Sequence, residues 1–284
     1  MTSTAVVLAG GKGTRLHDAF PGIAKAMVPV AGKPVLEHLV TTYSAQGIER
    51  FIFAVGHLSE QIVSHFGDGS DWGVEITYVH EPEPLGTAGS LHLMGLTEAF
   101  WVFYGDTISD INLKRMHAFH QAMAADATLL VHPNDHPYDS DLVACDLDGK
   151  VTAVHGKPHA PDMESRNIVN AALYLMEPSV LSHIPQGIAS DFGRDLFPRW
   201  ADSLNLAAYS SPEYIKDMGK PERHAHVQAD IESGLVASRN LALTQRAVFL
   251  DRDGVINIDS DLIKHPDEMV LYPDAAKSIQ ALRS

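Results

Sequence analysis

Glycines and basic residues stand together at Leu8-Ala9-Gly10-Gly11-Lys12-Gly13-Thr14-Arg15-Leu16, at the end of a short apolar run. Glycines at the carboxyl end of a strand let the backbone approach a phosphate, and their N–H groups then point into the anion. Spacing separates this loop from two familiar phosphate motifs. A P-loop needs G-x-x-x-x-G-K followed by Ser or Thr, and no Gly-Lys pair in the chain is followed by either. The dinucleotide fingerprint G-x-G-x-x-G also fails, because Gly11-Lys12-Gly13 continues as Thr14-Arg15-Leu16. A second chemical signal is Asp251-Arg252-Asp253-Gly254, two carboxylates in front of a glycine. It lacks the D-x-D-x-D-G spacing of a calcium loop.

Those residues need a scaffold, and the hydrophobic pattern supplies one. The run 5–9 is continuously apolar, as in a strand buried on both faces of a sheet. Runs at 51–55, 75–79, 101–104 and 127–132 read as further strands, and apolar residues at helical spacing predict helices over 34–46, 59–66, 87–100 and 112–125. This alternation predicts an α/β fold: a Rossmann-like mixed, mostly parallel sheet flanked by helices. From 142 to 176 closely spaced strands around Asp148-Gly149 predict an antiparallel addition to the same core. A long helix is expected over 220–239, with Pro221 in its first turn. The pattern restarts at 247–250 with a fresh strand of the buried type. The expected organisation is a main domain over 1–240, a linker at 241–246, and a truncated second α/β domain over 247–284, below the size that usually folds alone.

Composition narrows the partners. The 284 residues carry 21 Lys and Arg against 36 Asp and Glu, a formal net charge of −15. A general nucleic-acid binder needs a basic stripe, and none is present. Any phosphorylated ligand must meet a few local cations, backbone N–H groups or metal ions. No apolar stretch approaches the ~18 residues of a membrane span, and the N-terminus lacks a secretion-signal pattern. The single cysteine, Cys145, cannot form an internal disulfide, so a reducing cytoplasm is expected. The 16 histidines show no metal-ligand spacing such as H-E-x-x-H.

The glycine loop, followed by Lys25-Ala26-Met27-Val28-Pro29-Val30, resembles the sugar-1-phosphate nucleotidylyltransferase family. The likeness continues at Glu81-Pro82-Glu83-Pro84-Leu85-Gly86-Thr87-Ala88-Gly89, Gly105-Asp106, Gly156-Lys157-Pro158, 170–174 and Lys216-Asp217-Met218-Gly219. In that family a sugar-1-phosphate oxygen attacks the α-phosphorus of a nucleoside triphosphate and pyrophosphate leaves. The resemblance implies nucleotide contacts at Leu8, Gly10, Gly11, Gly13, Thr14, Glu81, Gly86 and Thr87. It implies that Arg15 holds the departing phosphates and Lys25 neutralises the reacting one. Sugar contacts fall on Gly105, Lys157 and Asn170, and Asp106 and Asp217 would converge on Mg²⁺. A carboxylate at Glu81 suits guanine's N1–H and exocyclic amine, which favours GTP over UTP or dTTP. Ala24, Gly156 and Ala171 depart from the family's usual residues, and the last two leave the identity of the sugar open. The phosphatase-like motif that follows in the chain implies heptose-1-phosphate, with mannose-1-phosphate the alternative.

The stretch 248–257 resembles the first motif of haloacid-dehalogenase-type phosphatases, in its heptose-bisphosphate and histidinol-phosphate branch. There the residue matching Asp251 attacks phosphorus and the one matching Asp253 is general acid and base. The downstream motifs of that family would lie after Ser284, so the expectation is the N-terminal portion of a bifunctional protein, its phosphatase part incomplete. The alternative reading makes the protein a sugar-bisphosphate phosphatase whose first domain binds or regulates. A homo-oligomer is left open.

Overall fold

The computed structural model describes residues 1–11, 19–81, 83–134, 136–160, 163, 165–260 and 262–282. The chain divides into two compact units, Met1–Leu243 and Thr244–Ser284. The first begins with β1 (Thr4–Leu8), β2 (Pro29–Val30), β3 (Lys33–Pro34), α1 (Val35–Ser44), β4 (Arg50–Val55), α2 (Ser59–Phe66), β5 (Glu75–His80), β6 (Phe100–Tyr104) and β7 (Thr107–Asp110). It continues with α3 (Leu113–Ala122), β8 (Ala127–His132), β9 (Leu142–Cys145), β10 (Val151–His155), β11 (Val169–Met176), α4 (Phe197–Ser203), β12 (Leu206–Ser210), β13 (Tyr214–Asp217), α5 (Pro221–Glu232) and α6 (Leu235–Ser238).

Among the described residues, nine strands form one mixed sheet. β5, β4, β1 and β6 lie parallel in that order, and β11 runs antiparallel beside β6. β8 pairs antiparallel with β11 and carries β12 parallel at its side, while β9 and β10 add antiparallel strands near the start of β11. This is the expected α/β sheet with its antiparallel addition.

Alternation along the strands feeds two cores. Val7, Phe51, Phe53, Trp101 and Phe103 meet Leu36, Leu39 and Tyr43 of α1 on one face. On the other, Val6, Ile52, Val102 and Tyr174 meet Phe192, Phe197 and Trp200. A third, smaller cluster of Val30, Val35, Ile108, Tyr214, Met218 and Val227 surrounds a separate two-stranded ladder of β7 and β13.

Local chemistry sets the helix ends. Asn112 caps α3 by accepting from Arg115 N at 3.1 Å, and Pro221 opens α5, where a missing N–H costs nothing. Two helix expectations fail. The segment 87–100 forms only a short 3₁₀ turn at Gly89–Leu93. Its backbone groups bond across to another loop instead: Ala88 N donates to Ser190 O at 3.0 Å and Ser190 N to Leu85 O at 2.9 Å. The helix expected over 220–239 is broken into α5 and α6 at Gly234, whose φ of 76° is left-handed.

Tyr214 OH and Lys216 Nζ donate to Asp230 at 2.7 and 2.9 Å, fastening β13 to α5. Burial pushes the Asp230 carboxyl up, but these hydrogen bonds outweigh it and hold the group below the usual carboxylate range. An acid depressed in the folded state stabilises the fold above its unfolded pKa of ~3.9, and that contribution is lost as pH falls through the folded value. The destabilisation from Asp230→Asn should therefore be full at pH 7 and shrink below about pH 4. Denaturant melts at pH 7 and pH 3 check this; a pH-independent difference would remove the charge as its cause.

The second unit contains helix α7 (Ala275–Leu282) and a tight turn in which Arg252 O accepts from the N–H groups of Val255, Ile256 and Asn257. The strand expected at 247–250 does not form: Val248 is 60% and Phe249 96% exposed. A strand of the buried type needs ladders on its edges, and the described part of this unit offers only isolated bridges at Asp253, Asn257 and Leu271. The expected α/β sheet of a second domain is thus absent among its described residues. No described helix is long and apolar enough to cross a membrane.

Candidate active site

The carboxyl ends of β1, β4 and β6 open onto a cavity of about 620 Å³. Leu8, Gly10, Gly11, Glu81, Gly86, Thr87, Gly105, Lys25 and Asp106 all line it. This is where ligands of open α/β sheets bind. The close approach is built by small residues: Gly105 N donates to Leu8 O at 3.0 Å, and a Cβ on Gly105 would stand 3.2 Å from that oxygen and from Ala9 Cβ. Among the described residues, a Cβ on Gly11 would meet nothing within 4 Å. Gly13, Thr14 and Arg15, expected at the phosphates, lie outside the described residues.

A second cavity, of about 420 Å³, is lined by Lys157, Asn170, Asp191, Arg194, Asp217 and Arg223 among others. Lys157 and Asn170 therefore share one chamber, while Gly105, expected with them at the sugar, lines the other. Asn170 is turned inward by a bulge in β11. The register shifts between Asn170 and Tyr174, Ala172 takes a left-handed φ of 58°, and Asn170 Oδ1 accepts from Ala172 N at 3.1 Å. Lys157 Nζ donates to Asp139 O at 2.9 Å.

Tyr104 lines both cavities. Burial, with the Asp191 charge added, pushes its phenol well above the ordinary value and keeps it neutral. Thr87 Oγ1 donates to Asp191 Oδ2 at 3.0 Å and accepts from Phe192 N at 2.9 Å, so its hydroxyl ties the chambers together. Glu81 accepts from Leu85 N at 3.2 Å, which fixes the loop that leads to Gly86.

The β7–β13 ladder brings the two expected metal carboxylates together. Asp217 stands opposite Thr107, and Met218 N donates to Asp106 O at 3.0 Å. Lys25 Nζ pairs with Asp106 Oδ2, and Arg223 Nη1 with Asp217 Oδ2. Gly219 N donates to Asp217 Oδ1 at 2.8 Å. A Cβ on Gly219 would stand 2.9 Å from that oxygen and 3.9 Å from Lys25 Nζ, so the two ion pairs are neighbours. Lys25 itself sits on a short 3₁₀ turn held to α2 by Ala24 N donating to Gln61 Oε1 at 2.9 Å.

Asp251 and Asp253 belong to the second unit. Asp253 is forked by Arg252 at 3.0 and 2.9 Å and receives Asn257 Nδ2 at 3.0 Å, which together hold its carboxyl below the usual range. Asp251 Oδ1 accepts from Arg252 N at 2.8 Å. Sequence reasoning missed Tyr104, Asp191 and Arg223. Only Arg223 had a usable signal, a cation in the first helical turn after the Asp217 motif.

Gly86 has a φ of 75°, and a Cβ there would stand 2.5 Å from Ser190 O. Left-handed strain and a backbone clash together should make Gly86→Ala cost about 2 kcal/mol or more. Chemical denaturation measures it; an unchanged midpoint would show that this loop yields freely.

Comparison with known proteins places the geometry. The chain is 36% identical over 239 residues to a mannose-1-phosphate guanylyltransferase of Mycobacterium tuberculosis, covering 82% of this chain and 66% of that protein. It is 34% identical over 233 residues to a UTP–glucose-1-phosphate uridylyltransferase of Synechocystis, covering 76% and 60%. The chain thus spans about two thirds or less of the length of these relatives. Two crystal structures of HddC from Yersinia pseudotuberculosis, the second complexed with GMP-PN, share the fold at TM-scores of 0.68 and 0.67 and 24% identity, covering 81% of this chain and all of theirs. The model of the family described as nucleotidyl transferase matches residues 4–234, the same span that carries both cavities and the paired carboxylates. With its glycine loop, its two chambers and this match, the chain belongs to the nucleotidyl transferase family.

Proposed function

We propose that the first unit transfers a nucleoside monophosphate from a nucleoside triphosphate, GTP by preference, to a sugar-1-phosphate, either mannose-1-phosphate or heptose-1-phosphate. The observation that carries this reading is the meeting of two chambers at one charged seam, with Lys25 and Asp106 on the first and Asp217 and Arg223 on the second. A phosphate oxygen of the sugar would bond to the α-phosphorus as the bond to the bridging oxygen breaks, and pyrophosphate carries that electron pair away. Such a step needs positioning and charge neutralisation more than covalent help. Lys25 supplies a cation at the first chamber, and Lys157, Arg194 and Arg223 supply cations at the second. Glu81 at the first chamber, and the guanylyltransferase relatives, favour guanine.

Mg²⁺ fits this donor set. Among the described residues no cluster of three His, Cys, Asp or Glu side chains is assembled. A cation here would be held by Asp106 and Asp217 together with phosphate and water oxygens, as suits a hard ion that keeps several waters. When bound it would neutralise charge on the phosphates.

For residues 247–284 we propose a phosphatase-like segment, without assigning it turnover. Asp253, the acid and base of the resemblance, is occupied by Arg252 and Asn257.

The test is a pyrophosphate-release screen crossing four nucleoside triphosphates with mannose-, glucose- and heptose-1-phosphate in the presence of Mg²⁺. GTP with mannose- or heptose-1-phosphate should be fastest. Release no faster than the enzyme-free blank for every pair would overturn the reading, and a preference for UTP would overturn the base assignment.

A further inference from the structure

We propose that Arg223 exchanges Asp217 for the phosphate of the sugar substrate, and so couples binding of that phosphate to binding of the divalent cation; the inference rests on the transfer reaction proposed above. Both oxygens of Asp217 are engaged: Oδ1 accepts from Gly219 N, and Oδ2 is paired with Arg223 Nη1. A cation approaching Asp217 therefore meets a guanidinium already on the oxygen it needs. Two positive groups on one carboxylate oxygen repel, so cation binding requires Arg223 to leave.

The second chamber gives the guanidinium a place to go. Arg223 is the least exposed of its three cationic side chains, at 25%, against 49% for Lys157 and 70% for Arg194. Lys157 is held by Asp139, and Arg194 is forked by Asp195 at 3.0 and 2.9 Å. The backbone under Arg223 is fixed, since His224 N donates to Lys220 O at 3.1 Å and the His224 ring bonds Pro29 O at 2.7 Å. Only the side chain has to swing. Its planar fork matches two phosphate oxygens, which an ammonium cannot do. A phosphate in this chamber draws Arg223 away and leaves Asp217 Oδ2 open to the cation. By linkage the cation favours the phosphate equally.

The full chain is titrated with Mn²⁺, free ion being read by electron paramagnetic resonance, with and without inorganic phosphate. In the parent, phosphate should tighten Mn²⁺ binding about fivefold or more. Arg223→Gln should bind Mn²⁺ without phosphate as tightly as the parent does with it, and phosphate should then add nothing. In the pyrophosphate-release assay its KM for the sugar-1-phosphate should rise roughly tenfold or more, with KM for the triphosphate unchanged. Arg223→Lys keeps the charge without the fork, and should keep the weak Mn²⁺ binding of the parent while losing most of the phosphate effect.

Tightening by phosphate that persists in Arg223→Gln overturns the proposal, because the anion would then act directly on Mn²⁺. No phosphate effect in the parent overturns it even if the glutamine variant fails to fold. A parent that shows the linkage yet releases no pyrophosphate overturns the transfer reaction and leaves the exchange standing.

Discussion

Asp106→Asn should lower kcat for pyrophosphate release by about 10³-fold, the size expected when a preorganised charge is removed from a phosphoryl-transfer site. The amide keeps the shape and removes the charge. It breaks the pairing with Lys25, removes that ammonium's ion-pair partner, and would take one of two carboxylates from the proposed cation. The fold has little reason to change. Asp106 is partly exposed at the mouth of the chamber, and the bond that holds the ladder here uses its backbone oxygen, to Met218 N. Steady-state kinetics together with a thermal melt check both halves. Activity within tenfold of the parent would remove Asp106 from the chemistry.

The largest loss of stability is expected at the opposite end of the same ladder. Glu213 is 3% exposed, and its carboxylate accepts from Asn112 N and Leu241 N at 2.8 Å each through Oε1, and from Ser211 Oγ at 2.8 Å through Oε2. It joins the start of α3, the turn before β13 and the chain after α6. Glu213→Ala would leave two backbone N–H groups and a hydroxyl buried without their acceptor, a cost of about 3–5 kcal/mol. For a unit of this size that lowers Tm by on the order of 10 °C. Glu213→Gln keeps an acceptor oxygen and should lose less than half as much. A calorimetric scan separates them; equal losses would show that charge, and not the hydrogen-bond count, is decisive.

Much of the scaffold was readable because parallel strands buried on both faces are written as unbroken apolar runs. β1, β4, β6 and β8 follow from such runs, and α2 from its spacing and the glycine after Phe66. The same signal misled at 247–250, where apolar residues stand exposed and no strand among the described residues meets them. The 87–100 segment carries helical spacing, yet its backbone bonds go to Leu85 and Ser190, a partner about a hundred residues away that no local pattern reveals. The helix expected over 220–239 stops at Gly234, a glycine whose left-handed backbone ends α5 before α6 begins.

The site divides along a similar line. Its glycine loop, Lys25, Asp106 and Asp217 were legible as types in an order, through a resemblance. Asp191 and Tyr104 were not, since their importance comes from facing both chambers or bonding across between them. Arg223 lies six residues beyond Asp217 and meets it only because Pro221 starts a helix there.

The paired carboxylates do not ride on the nine-stranded sheet. Their ladder of β7 and β13 has four residue pairs and its own small apolar cluster. Each of its strands is hydrogen-bonded to a neighbouring strand on one edge alone, so its opening should require less free energy than opening β1 or β6, which are hydrogen-bonded on both edges. Amide protons along Thr107–Asp110 should accordingly exchange with solvent long before those of Phe100–Tyr104. That order of exchange would mean that the ladder holding the two carboxylates opens while the frame beside it stays shut.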